Sequence, residues 1–237
     1  MEVPYVKLIL AKYCMPTLLK MKPASLINVS KENIGGNIDE DTGFLHQLKG
    51  IIKCFQCDYS LLYENEISLI ILVYYETSID QILKQEDNRR FLINRGYHLG
   101  GERLGDTGNI ENILGQLKKK YGVYKNRDIT EKGEEQPPLL NGCYPHEIGL
   151  LLGFPLEDVE DFIRHEGKDY LYCGAWKVYH NPGAALRIFE SYRKVRDHTL
   201  QLLLEGTDIE DICEAGSLQA LVHHSGIKLS GLIFPGR

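Results

Sequence analysis

Apolar residues recur along this chain at helical and strand periods, and the changes between them lay out its elements. Residues 5–13 read as a short helix stopped by Pro16, and Ser25–Val29 as a strand running into the turn-rich Gly35-Gly36-Asn37. Phe44, Leu48, Ile51, Ile52 and Phe55 then fall at helical spacing behind Thr42, a capping residue type. Tyr59–Tyr63 and Ile67–Tyr75 flank the polar Glu64-Asn65-Glu66, the pattern of a β-hairpin. The second of these strands is apolar on both faces, which places it centrally in a sheet covered on each side.

Thr77-Ser78-Ile79-Asp80 opens a helix interrupted near Asp87-Asn88 and ended at Gly96. Residues 96–108 are a glycine-rich loop, and Ile110, Ile113, Leu114, Leu117 and Tyr121 mark another amphipathic helix. Residues 122–141 are polar, carry Pro137-Pro138 and read as a linker-like loop inside the domain. Residues 144–165 give two short helices meeting at Gly153-Phe154-Pro155, and 168–179 read as one strand with a bulge or a tight bend at Gly174. Asn181-Pro182 starts a long helix with Ile188, Phe189, Tyr192, Val195, Thr199 and Leu202 on one face, ended by Gly206. The expectation is a single α/β (α+β) domain over 1–205 with a C-terminal extension over 206–237. Its core is a mixed, mostly antiparallel small sheet with a central buried strand covered by helices.

Composition narrows the class. A chain of 237 residues buries enough surface to fold without disulfide or metal. With 43% apolar and 25% charged residues it is neither disordered nor a coiled coil. The 27 basic against 33 acidic residues give a net charge of −6, which argues against a nucleic-acid surface. Leu8-Ile9-Leu10-Ala11 is too short for a signal-peptide core, and Ile67–Tyr75 is about half a membrane span. The expected setting is the cytoplasm, away from membranes, with thiols reduced. The six cysteines are then too few for a disulfide scaffold, and their roles are metal binding, redox or nucleophilic chemistry.

Three segments carry a resemblance. Tyr144-Pro145-His146-Glu147-Ile148-Gly149-Leu150-Leu151-Leu152-Gly153-Phe154-Pro155-Leu156-Glu157-Asp158-Val159 resembles the signature of an uncharacterised bacterial domain family, the domain of unknown function numbered 3793. Tyr170-Leu171-Tyr172-Cys173-Gly174-Ala175-Trp176-Lys177-Val178-Tyr179 is similar to its second signature, which usually has an aromatic where Ala175 stands. Tyr13-Cys14-Met15-Pro16-Thr17-Leu18 is similar to a third, in which histidine precedes the cysteine where this chain has Tyr13. The resemblance spans roughly residues 8–200. It implies one compact α/β domain in a bacterial cytoplasm, known mainly from anaerobes, and it brings no catalytic residues with it.

The candidate chemistry lies inside those segments. Cys14 at a helix start reads either as an activated thiolate or as a buried small apolar residue. His146 reads as a general base or metal ligand assisted by Glu147, or as a residue bonding a backbone carbonyl. Leu150 stands where a zincin pattern needs its second histidine. Cys173 beside Gly174 reads as an accessible thiol or as part of a packed bulge. Joined in space, Cys14, His146, Glu147 and Cys173 would form a catalytic Cys/His/carboxylate site. Cys14, His146 and Cys173 would be its ligands to a transition metal.

Weaker signals surround these. Arg103 in the glycine-rich loop and Trp176 are the side chains read as touching a cofactor. Cys54-Phe55-Gln56-Cys57 is a lone CxxC at a helix end, facing the buried side and without a second pair to complete a zinc site. His223-His224 reads as solvent-facing. Residues 147–163 have the lengths of a helix-turn-helix, but Glu157, Asp158, Glu160 and Asp161 oppose DNA phosphates. The same acidic helix would suit a basic protein partner. The leading expectation is a small-molecule or metal site, followed by a protein-interaction module and then a DNA-binding regulator.

Overall fold

The computed structural model describes residues 3–100, 110–126 and 144–214. Helix α1 (Tyr5–Tyr13) turns directly into the four-residue α2 (Met15–Leu18), and β1 (Ala24–Ser30) follows. Helix α3 (Phe44–Cys54) leads to β2 (Asp58–Glu64) and β3 (Ser68–Tyr74), the expected hairpin. Thr42 does not cap α3, because Asp39 Oδ1 accepts from both its backbone N–H and its hydroxyl, and Gly43 takes the N-cap position.

The three strands form one antiparallel sheet in the order β1-β3-β2. Strand β3 is central and apolar on both faces, as its sequence requires. Ile27, Val29, Leu69, Ile71 and Val73 face a core shared with α1, α2, α3 and the far end of the long helix α9 (Pro182–Leu204). Ala24, Leu62, Ile70 and Leu72 face a second core. That core is built with α4 (Glu76–Lys84), α5 (Glu86–Asn94), α6 (Ile110–Lys125), α7 (Ile148–Leu151) and α8 (Leu156–Arg164). A β-bulge between Leu61 and Tyr63 shifts the side-chain parity of β2, so Leu62 and Tyr63 both lie on the second face.

Residues 168–179 are not one strand. They form a small hairpin of β4 (Tyr172–Cys173) and β5 (Lys177–Val178), reversed through Gly174-Ala175. A last short helix, α10 (Ile209–Glu214), follows α9. At 1.5 Å per residue α9 runs roughly 34 Å. Its first turns therefore pack under the hairpin while its last reach α1. Asn181 caps its start, the side chain accepting from Ala184 N at 3.2 Å. Among the described residues no helix is long and apolar enough to cross a membrane.

Candidate functional site

The corner between α7 and α8 faces the β4–β5 hairpin across a cavity of about 300 Å³. Its walls include Tyr144, His146, Phe154, Phe162 and Trp176, with Cys173 and Lys177 from the hairpin. Two glycines make the walls this close. A Cβ on Gly149 would stand 3.0 Å from the Phe154 ring and 3.1 Å from the Val159 side chain, so those side chains pack directly on the α7 backbone. A Cβ on Gly174 would fall 2.2 Å from the Phe189 ring, which lies 4.5 Å from Trp176 edge to face.

Asp158 holds the hairpin to α8. Its Oδ2 accepts from Trp176 Nε1 at 2.7 Å, and its Oδ1 accepts from the backbone N–H groups of Tyr179 and His180, each at 2.9 Å. One turn on, Asp161 Oδ2 pairs with His180 Nε2 at 2.7 Å, and Arg164 also pairs with Asp161. The carboxylates expected to make α8 an outward acidic face are thus divided. Asp158 and Asp161 turn toward the hairpin, while Glu157 and Glu160 are exposed. A second hollow, of about 270 Å³, lies behind the same Phe154, Asp158 and Trp176 wall.

His146 stands half-buried in the cavity, 5.2 Å from the Tyr144 ring and 4.9 Å from Phe162. Burial pushes its pKa below the usual histidine value; the Glu147 charge works against this and Arg95 adds to it. The imidazole is therefore neutral at pH 7. Because the unfolded chain binds the proton more readily, stability contributed here is present above about pH 6.5. It is lost as pH falls from that value through the folded pKa. The His146 ring protons are expected to titrate below pH 6.5 by NMR, and a midpoint above that value would contradict the burial.

Glu147, the next residue, points elsewhere. Its Oε1 accepts from Lys120 Nζ at 2.8 Å, and Arg95 lies 3.8 Å from Oε2. The Lys120 ammonium also sits 4.3 Å over the Tyr97 ring and donates to the Arg95 carbonyl at 2.6 Å. The Tyr97 hydroxyl is pushed upward by burial and by the Glu147 charge. Glu147 therefore fastens the start of α7 to α6 and the end of α5, and does not reach into the cavity.

A family model described as "Protein of unknown function (DUF3793)" matches residues 10–213. The chain belongs to this family. No curated protein and no solved structure matches it. Within the matched range, the segments holding His146 and Cys173 meet at the cavity. The segment holding Cys14 lies across the sheet from them.

Cys14 is fully buried in the first core, among residues that pack against the opposite face of β1 and β3. Burial pushes its thiol up to about 12, with the Lys22 charge opposing. Of its two readings, the buried small apolar residue is the one that fits, and desolvation outweighs the start of a four-residue helix. Cys14, His146 and Cys173 therefore do not converge as metal ligands. Among the described residues no three His, Cys, Asp or Glu side chains are grouped for a metal. The CxxC pair differs in burial, with Cys54 exposed and Cys57 buried, the latter's Sγ 3.4 Å from Lys20 Nζ. Trp176 lines the cavity, whereas Arg103 and His223-His224 lie outside the described residues. The sequence reading missed Tyr144, Phe162, Lys177 and the anchoring role of Asp158. The signal for Asp158 was its position: it lies four residues before Phe162, on the face of α8 that turns inward.

Proposed function

We propose that this protein binds a small, largely apolar molecule in the cavity between the α7–α8 corner and the β4–β5 hairpin. His146 is its polar contact, and the exposed thiol of Cys173 stands at the cavity wall. One observation carries the reading. The His146 ring is half-buried in that cavity, and among the described residues neither of its nitrogens has a hydrogen-bond partner. A neutral imidazole carries one donor and one acceptor, and both are open to a ligand there. A volume of about 300 Å³ is at the small end for ligand sites and accommodates one or two fused rings.

The test is ligand-observed NMR with neutral one- and two-ring aromatic fragments, joined to iodoacetamide labelling of Cys173 followed by peptide mass spectrometry. Fragments are expected to bind at about millimolar Kd or tighter, to shift the His146 ring signals and to slow labelling of Cys173 while sparing Cys54. Leu152→Phe, which fills the cavity, is expected to weaken them several-fold. Fragments that bind without touching His146 or Cys173, or no binding at all, would overturn the proposal.

A further inference from the structure

The cavity wall carries one charged group, Lys177, that the described residues leave uncompensated. Among the described residues no Asp or Glu pairs with Lys177. Its ammonium donates to the Gly167 carbonyl at 2.6 Å and lies 4.8 Å and 5.7 Å from the Tyr170 and Phe162 ring centroids. Two of its three protons remain for another acceptor. The other charge on the wall, Asp158, has both oxygens committed to three N–H donors, and Trp176 Nε1 is committed to Asp158 in turn. A cationic ligand is disfavoured for a specific reason. Lys177 already occupies the cation positions beside the Phe162 and Tyr170 rings and would repel a second positive charge.

We propose that the ligand of this cavity is a small aromatic carboxylate, its ring among Tyr144, His146, Phe162 and Trp176 and its carboxylate on the Lys177 ammonium. The assignment rests on the cavity being a ligand site, as proposed above, and adds the chemical class. Aromatic walls favour a flat ring through offset and edge contacts. A partly desolvated ammonium rewards a carboxylate through a charge-assisted hydrogen bond.

The experiment uses three probes, benzoate, benzamide and cyclohexanecarboxylate, titrated against the full chain. The emission of Trp176, the chain's single tryptophan, reports occupancy of the wall it forms. Benzoate is expected to bind about tenfold more tightly than benzamide, and more tightly than cyclohexanecarboxylate. Lys177→Gln, which keeps a donor for the Gly167 carbonyl, is expected to bring benzoate down to the benzamide level. Lys177→Arg is expected to restore most of the difference, with equal unfolding midpoints showing that the fold is intact. Benzamide matching benzoate, or Lys177→Gln leaving benzoate unchanged, would sink the carboxylate assignment and leave the cavity as a ligand site. Cyclohexanecarboxylate matching benzoate would remove the aromatic part. If none of the three probes binds while the neutral fragments do, the class assignment alone fails. If nothing binds, both readings fail together.

Discussion

Asp158→Ala is expected to lower the unfolding free energy by about 3–5 kcal/mol, a large part of what a domain of this size possesses. The side chain is 2% exposed and accepts from three donors, so its removal leaves Trp176 Nε1 and the Tyr179 and His180 backbone N–H groups without their acceptor. Each unsatisfied buried donor costs about 1–3 kcal/mol, and the losses partly overlap because a loosened hairpin re-exposes some of them to water. Asp158→Asn is expected to fall between wild type and alanine. Its amide oxygen still accepts from the backbone, but its NH₂ meets the Trp176 N–H donor to donor. Urea unfolding followed by Trp176 emission measures the loss. The native emission of Asp158→Ala is expected to be red-shifted, since the ring is released from its carboxylate. Glu157→Ala, one residue away and exposed, is expected to stay within about 0.5 kcal/mol of wild type. A loss below 1 kcal/mol for Asp158→Ala would show that the hairpin is held by ring packing alone.

That three-donor arrangement also shows why part of the site was legible in the sequence and part was not. Apolar periodicity located α1, β1, the β2–β3 hairpin and α9 because each is a local pattern. The central place of β3 followed from its two apolar faces. The bulge in β2 left no trace in that pattern, because Leu61, Leu62 and Tyr63 are all acceptable on either face. The hairpin over 172–178 was read as a single strand because aromatic residues run through it; the reversal depends on Gly174 against Phe189, a residue of another element.

For the site, type and motif singled out His146 and Cys173, and the fold brings both to one cavity. Cys14 carried an equally suggestive context but lies across the sheet, and nothing local to residues 13–18 encodes which face α2 will cover. Along the chain the acidic run of α8 reads as a solvated face. Around the helix, Asp158 and Asp161 are three residues apart and share the side turned to the hairpin. Among the described residues a thiol meets open space at Cys173 and Cys54, whereas Cys14 and Cys57 are buried.

Glu147→Gln is the second substitution with a large expected cost, about 3 kcal/mol. The carboxylate is 2% exposed and bonded to a lysine that is itself mostly buried, so the amide leaves the Lys120 charge in place without its counter-charge. Pairing the change with Lys120→Met is expected to recover at least half of the loss, because removing both members of a buried pair spares the desolvation of the survivor. The double-mutant cycle therefore separates the worth of the pair from the penalty of an orphaned ammonium. His146 supplies a reading that stability alone does not. The Glu147 charge raises the His146 pKa, so in a Glu147→Gln protein with an intact cavity the histidine is expected to titrate lower still. If Glu147 instead acts mainly by clamping α7 in place, its loss lets the imidazole into solvent and moves the midpoint up toward 6.5. The direction of that one NMR titration decides whether Glu147 acts on the cavity through its charge or through the position of the chain it fastens.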